Sequence, residues 1–250
     1  MSLPILDIRF ANGRSALAVQ APSNAGGEEL VSALGLPVPA GTMIVNGSTA
    51  LLAPEVEGRL TDVLEDGLAA LAVKEGLTVV TGATDAGIFA ALGAAMDGHH
   101  APLVGVAPQP LVTWPGRTDE GPDPMALTPL EPHHTHFVLV DAQEWGDETG
   151  VLMSLAAALA ASAPAVVVLF GGGRIAAREA EAHLAAGRRV VAVAGSGRLA
   201  DRLVAAIDGG PSPDPQAAAI AASSLLTVFP ADGGPQELIA LLRRSLEGPA

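Results

Sequence analysis

The sequence predicts an α/β fold: a doubly wound, mostly parallel sheet of about seven strands, with helices on both faces and an N-terminal β-hairpin in front. Three observations predict it. Seven short runs rich in β-branched residues recur along the chain, and helical periodicity fills most of the gaps between them. The runs are continuously apolar, the pattern of strands covered on both faces. Four of them end in clusters of small residues, as strand-to-helix turns of parallel sheets do. Right-handed crossovers then make the topology Rossmann-like.

In chain order, Ile5–Phe10 and Ser15–Val19 flank Asn12-Gly13, which tolerates the positive φ of a tight hairpin turn. A Gly/Pro-rich stretch, Ala21–Gly41, holds a short helical piece starting near Gly27. The predicted strands are Thr42–Asn46, Leu77–Thr81, Leu103–Ala107, His136–Asp141, Val166–Phe170, Arg189–Ala194 and Leu225–Phe229. The predicted helices are Glu55–Lys74, Asp85–Asp97, Asp147–Ser162, Arg174–Ala186, Leu199–Asp208 and Pro235–Leu246. In the first of these, Val56, Leu60, Val63, Leu64, Leu68 and Leu71 form one apolar face. Residues 1–250 are read as a single domain, with 1–40 a hairpin and extension and 41–250 the core. Two loops are long for such a fold, Pro108–Pro132 and Gly209–Gln216. Trp114 and Arg117 tip the first toward a functional role.

Composition narrows the partners. The 250 residues carry 13 basic and 27 acidic side chains, a formal charge of −14, and Lys74 is the single lysine. Nucleic acid requires an extended basic face, so it is excluded as a partner. With no cysteine, disulfide scaffolds and thiolate zinc sites are excluded, and a reducing cytosol fits. Between Glu148 and Arg174 there is no charge. Pro164, the alanine-rich first half and the Gly171-Gly172-Gly173 ending make this a buried helix, a turn and a strand rather than a membrane span. With no secretory signal at the N-terminus, the expectation is a cytoplasmic protein without a membrane partner.

The chemistry is expected at the carboxyl ends of the strands. Four turns lie there: Asn46-Gly47-Ser48-Thr49, Gly82-Ala83-Thr84 leading to Gly87, Gly171-Gly172-Gly173-Arg174 and Gly195-Ser196-Gly197-Arg198. Absent side chains let a phosphate reach the backbone N–H groups, and helix N-termini favour its charge. Any one such turn is ordinary chain geometry. Four together, two of them followed at once by an arginine in a chain so poor in cations, favour an anionic ligand. Both later turns match G-x-G-x-x-A, yet the acid required about 20 residues on is missing, which disfavours a dinucleotide cofactor. A Walker P-loop and a G-x-S-x-G elbow are absent too. His133-His134-Thr135-His136 admits a metal, but strand-end polar residues or ligand donors are the better reading, so no metal and no cofactor are expected. Asp85, Asp141, Glu144, Asp147, Glu148 and Glu179 read as helix-start acids before they read as catalysts.

The Thr81-Gly82-Ala83-Thr84 turn, the string His134-Thr135-His136-Phe137-Val138-Leu139-Val140-Asp141, the Phe170-Gly171-Gly172 turn and the string Val193-Ala194-Gly195-Ser196-Gly197-Arg198-Leu199-Ala200-Asp201 occur in a characteristic order. Together they resemble the SLOG superfamily in its LSDAT branch, which includes the N-terminal cytosolic domain of melastatin-type TRP cation channels and stand-alone bacterial relatives. The resemblance runs from Gly41 to Asp208 and, more weakly, over Leu225–Leu246. It implies a Rossmann-like domain that binds a nucleotide-derived ligand such as an ADP-ribose-type molecule. Gly82, Ala83, Thr84, Gly171, Gly172, Gly195, Ser196, Gly197 and Arg198 would be phosphate and ribose contacts. The channels have a glycine where Ala83 stands and an acid where Phe170 stands. The distantly related phosphoribohydrolases of the superfamily resemble P-G-G-x-G-T-x-x-E at the third turn; here Arg178 stands at the glutamate's place. Glu179 comes one residue late, about 100° round a helix, and that weakens a hydrolase reading.

The sequence therefore leads to a nucleotide-binding or nucleotide-sensing module without catalysis. Arg174 and Arg198 would hold phosphates, Gly47, Gly87 and Gly173 would complete the turns, and His136 or Arg117 would reach a base or ribose. A phosphoribohydrolase using Glu179, Glu148 or Asp85 is the alternative. A structural oligomerisation module is the second alternative, and a homo-oligomer is expected from the sparse charge and apolar surplus.

Overall fold

A computed structural model describes residues 3–49, 54–118, 126–209 and 214–247. Its centre is a nine-stranded sheet in the order β1-β2-β8-β5-β4-β3-β9-β10-β11. All seven predicted strands are present within one or two residues: β3 (Gly41–Gly47), β4 (Leu77–Thr81), β5 (Leu103–Pro108), β8 (His136–Asp141), β9 (Ala165–Phe170), β10 (Arg189–Ala194) and β11 (Leu226–Pro230). They pair in parallel throughout. The hairpin, β1 (Ile5–Arg9) and β2 (Ser15–Pro22), does not stand apart. β2 pairs in parallel with β8, from Leu17 opposite His136 to Pro22 opposite Asp141, which raises the count from about seven to nine. Alternate β2 residues Ala16 and Ala18, and Val19 and Ala21, are buried on the two faces, so this strand behaves as an interior one.

The helices divide between the faces as double winding requires. One face is covered by α2 (Pro54–Asp62) and α3 (Ala70–Glu75), joined by a π-helical turn at Val63–Ala69, with α4 (Gly87–Ala95) and α9 (Pro235–Leu246) beside them. The predicted uninterrupted helix thus contains one wide turn, and it brings Gly67 against Leu238 of α9. The other face is covered by α1 (Gly27–Leu34), α5 (Thr149–Ala160), α6 (Arg174–Ala185), α7 (Arg198–Ile207) and α8 (Pro215–Ala221). At the α1–α5 contact, a Cβ on Gly27 would fall 1.9 Å from the Ser154 carbonyl oxygen, so the two helices meet backbone to backbone there. Among the described residues no helix is long and apolar enough to cross a membrane.

Among the described residues of the connection from β5 to β8 there is no α-helix. In its described parts, 108–118 and 126–132, a single 3-10 turn, Gln109–Leu111, leads into two short paired strands, β6 (Val112–Thr113) and β7 (Thr128–Pro129). Val112 and Leu130 are buried against Ile8, Phe10, Phe137 and Leu139, with Trp114 packed behind. The segment does a helix's work: on the face that carries α2, α3, α4 and α9, it covers the part of the sheet where β1, β2, β8 and β5 would otherwise meet water. The acids at 119–123 lie outside the described residues. The second long loop is shorter than expected, because α8 begins at Pro215 with Asp214 as its cap, accepting from the Gln216 and Ala217 N–H groups at 3.1 and 3.2 Å. Residues 210–213 of that loop are also outside the described part.

Candidate functional site: a cavity where the strand order reverses

Chain order runs outward from β3 through β4 and β5 on one side, then returns to β9 on the other. Helices therefore leave β3 and β9 toward opposite faces, and a crevice opens between them at the carboxyl edge. A cavity of about 520 Å³ occupies this place, a volume typical of small-molecule sites. Its wall takes Asn46, Gly47, Ser48 and Thr49 from the end of β3, Gly82 and Thr84 from the β4 turn, Gly173 and Arg174 from the β9 turn, and Arg198 from the β10 turn. Glu148 and Leu152 come from the start of α5, Ile175, Ala176 and Glu179 from α6, and Trp145 stands at 40% exposure among them.

The turns are closely built. A Cβ on Gly47 would lie 2.5 Å from Ile88 Cγ2 and 2.7 Å from the Phe170 carbonyl oxygen, so only glycine fits. Gly171 and Gly172 have φ of +59° and +93°, a region open to glycine without strain. The β9 and β10 turns are tied together: Leu199 N donates to Gly172 O at 3.2 Å and Ala200 N to Gly171 O at 3.0 Å. The Ser196 hydroxyl accepts from Gly171 N at 2.8 Å and donates to the Val193 carbonyl. Asp201 accepts from Gly195 N at 2.6 Å. Gly173 caps α6 with no side-chain acceptor, leaving the first N–H groups of a twelve-residue helix uncapped by any side chain beside the cavity. Arg198 Nη1 donates to Ser48 Oγ at 3.1 Å, closing the wall between β10 and β3.

Among the described residues two that are not glycine have positive φ, Ala83 at +68° and Arg198 at +51°, and both lie in these turns. Such conformations cost of order 1–2 kcal/mol each and persist where the surroundings dictate them. Around Ala83 the surroundings are a buried polar chain. Ala83 N donates to Thr81 Oγ1 at 3.1 Å, Thr81 Oγ1 bonds His134 Nε2 at 2.6 Å, and His134 Nδ1 bonds Glu131 Oε2 at 2.7 Å. Glu131 also holds His133, through the ring at 2.5 Å and the backbone N–H at 2.9 Å. Burial raises the Glu131 carboxyl, but these histidine bonds outweigh it and hold its pKa below the usual range. Below the turn there is no spare room. A Cβ on Gly105 would sit 2.5 Å from Ala83 Cβ and 2.7 Å from its Cα. Gly105→Ala is therefore expected to destabilise by about 2–3 kcal/mol, at the upper end of overpacking, and thermal melting will measure it.

The electrostatics are mixed. Arg174 and Arg198 bring positive charge to the wall. Facing them, Glu179 is buried and its pKa is pushed up to about 7, mainly by desolvation; the Thr149 hydroxyl donating at 3.1 Å opposes this and nearby Glu148 adds to it. Burial also raises Glu148, against hydrogen bonds to its carboxylate that include the Gly146 N–H at 2.6 Å.

The structure brings Gly47, Gly82, Thr84, Gly173, Arg174 and Arg198 onto one wall. Ala83, Gly87, Gly171, Gly172, Gly195, Ser196 and Gly197 lie in the same turns but shape them from behind, with Ser196 engaged in backbone bonds. Arg117 is not brought to the cavity. It donates to the Gln109 oxygen at 3.1 Å and to the Val112 carbonyl, and stacks 5.0 Å over Trp114, bracing the β5–β8 segment. His136 opens β8 at the amino edge, a strand length of roughly 16 Å from the cavity edge. Asp85 is tied to the β7 side through its N–H to Pro129 O at 2.8 Å and is absent from the wall. Sequence reasoning passed over Trp145, though a tryptophan four residues beyond a strand-ending aspartate, in a chain with 3% aromatics, is a readable signal. Among the described residues no three metal-ligating side chains converge.

A parallel sheet wound in this order, with a cavity at its switch point lined by glycine turns, defines a Rossmann-like α/β domain. The chain matches the family described as SLOG in TRPM, prokaryote, over residues 40–240, and it belongs to that family. Comparison with curated proteins returns no match.

Proposed function

We propose that the cavity binds a small phosphorylated ligand of the nucleotide class, such as an ADP-ribose-type molecule, with its phosphate at the β9 and β10 turns. One observation carries the reading. In a chain of charge −14, Arg174 and Arg198 share the wall of one cavity with an α6 N-terminus that no side chain caps. Backbone N–H groups, a helix dipole and guanidinium groups are the standard elements of phosphate recognition. A small ligand needs only this local field, so the overall acidity does not oppose it. A thermal-shift series with ADP-ribose, nucleoside mono- and diphosphates and inorganic phosphate tests the reading. Stabilisation by the nucleotides that disappears in Arg174→Ala/Arg198→Ala supports it, and no stabilisation at millimolar concentration defeats it.

A second reading, cleavage of the ligand's N-glycosidic bond, is favoured by one specific observation. Glu179 shares the wall with the two arginines and titrates near neutrality, as a general acid or base must. The 100° offset from the phosphoribohydrolases' glutamate matters less than helix register: Ala176, Ala177, Glu179, Ala180 and His183 form the buried side of α6. Release of free base from nucleoside 5′-monophosphates, lost in Glu179→Gln, would favour this reading; release that survives the substitution would remove Glu179 from it.

A further inference from the structure

Two acids and two arginines line one cavity without pairing. They are Glu148 at the start of α5, Glu179 on α6, and Arg174 and Arg198 at the β9 and β10 turns. Among the described residues none of the four forms a salt bridge. Each acid is only 7% exposed. A carboxylate so enclosed is costly to ionise unless a cation or several donors face it. Glu179 accepts from the Thr149 hydroxyl at 3.1 Å, and the charge of Glu148 opposes its own.

The surrounding groups decide what titrates. Arg178, on α6 itself, favours the charged form of both acids from a position against Gly146, where a Cβ would lie 2.5 Å from its Nη2. Asp147 disfavours that of Glu148. Toward α8, Glu181 accepts from Gln216 Nε2 at 2.8 Å. One turn along α6, His183 is fully buried with its Nδ1 3.2 Å from Arg188 Nη1. Burial, and then that guanidinium, pull its pKa down to about 3, so it stays neutral near pH 7. The strands packed on α6, β3, β9 and β10, bring no ionisable side chain of their own to the wall. Burial outweighs Arg178 and Thr149, and Glu179 titrates at about 7.

We propose that the cavity takes up a proton together with its phosphorylated ligand, on Glu179, and that nucleotide affinity therefore falls as the medium turns alkaline. The inference rests on the phosphate reading and deepens it: the ligand's negative charge is met by two arginines and one proton. No contact between the carboxyl and the ligand is required, only a shared enclosed space. A unit charge roughly 10 Å away, at an effective dielectric constant of about 20, shifts such an equilibrium about tenfold. The anion raises the proton affinity of the carboxyl, and by reciprocity the proton raises the affinity for the anion.

The test uses the full chain with ADP-ribose, whose pyrophosphate gains or loses no proton near neutrality. Calorimetric affinities are measured at pH 6, 7 and 8, and at pH 7.5 in two buffers of different ionisation enthalpy, which counts the protons exchanged. Tenfold linkage predicts affinity about fivefold weaker at pH 8 than at pH 6, with uptake of about half a proton at pH 7.5. Glu179→Gln is neutral at every pH. It should bind like wild type at pH 6, about fivefold more tightly than wild type at pH 8, and take up no proton. Glu148→Gln should still take up a proton on binding, and it carries the test against wild type should Glu179→Gln not fold. Wild-type affinities within twofold from pH 6 to 8, without proton uptake, overturn the inference. So does a pH dependence that persists in Glu179→Gln, or proton uptake lost in Glu148→Gln. If Arg198→Ala still weakens binding in those cases, the phosphate reading survives. No binding of ADP-ribose by wild type at any of the three pH values overturns both.

Discussion

Replacing Arg198 by alanine should weaken nucleotide binding by about 2 kcal/mol, roughly thirtyfold, because a guanidinium–phosphate contact is charge-assisted. The residue has a structural role as well, since its Nη1 reaches Ser48 Oγ at 3.1 Å. A second substitution separates the two. Arg198 adopts φ of +51°, which glycine adopts without strain. Arg198→Gly should therefore melt at or above the wild-type temperature and yet bind as poorly as Arg198→Ala. Calorimetry and thermal melting on the same two variants give both numbers. A glycine variant that binds like wild type would show that the turn's backbone, not the guanidinium, holds the phosphate.

The second large effect concerns pH. Glu179 titrates at about 7 in the folded chain, against 4.5 for an unperturbed carboxyl. The folded state thus holds this proton more tightly than the unfolded state. Stability from this group is fully present below pH 4.5 and is lost as pH rises through 7. A shift of about 2.5 units corresponds to about 3 kcal/mol. Glutamine mimics the protonated acid, so Glu179→Gln should match wild type near pH 4 and exceed it by about 3 kcal/mol at pH 8. At 2–4 °C per kcal/mol for a chain of this size, the melting temperatures should separate by roughly 6–12 °C at pH 8. Glu148 is raised in the same direction and leaves the variant a smaller residual slope. Equal melting temperatures at both pH values would mean that Glu179 is solvated and not poised near neutrality.

What was legible in the sequence follows from what each signal reports. Strands such as Val166–Phe170 and Leu77–Thr81 are buried on both faces, and that leaves an apolar, β-branched run any reader can find. Pairing partners leave no such mark. Nothing local in Ser15–Val19 says that β2 will lie parallel to β8, so the hairpin looked separate. α8 carries a readable local signal: Asp214-Pro215 is a cap followed by proline at the first helical position. Trp114 and Arg117 read as functional because a long loop with rare residues suggests a lid; in the fold they stack on each other and brace the β5–β8 segment. His136 could have been placed from sequence alone, since the first residue of a parallel strand lies at the edge opposite the ligand. At the site, the turns were visible as glycines, but which residues reach the cavity depends on helix register and on side chains at the start of α5. That is why the proximity of Glu148 to Glu179 emerges only in three dimensions.

The central claim is that an anion sits at the β9 and β10 turns, and a crystal structure of the protein grown with ADP-ribose tests it most directly. The expected result is phosphate density within hydrogen-bonding distance of the α6 N-terminal amides and the Arg174 and Arg198 guanidinium groups. Ligand density elsewhere on the molecule, or crystals grown at saturating ligand with this cavity holding only water, would contradict it.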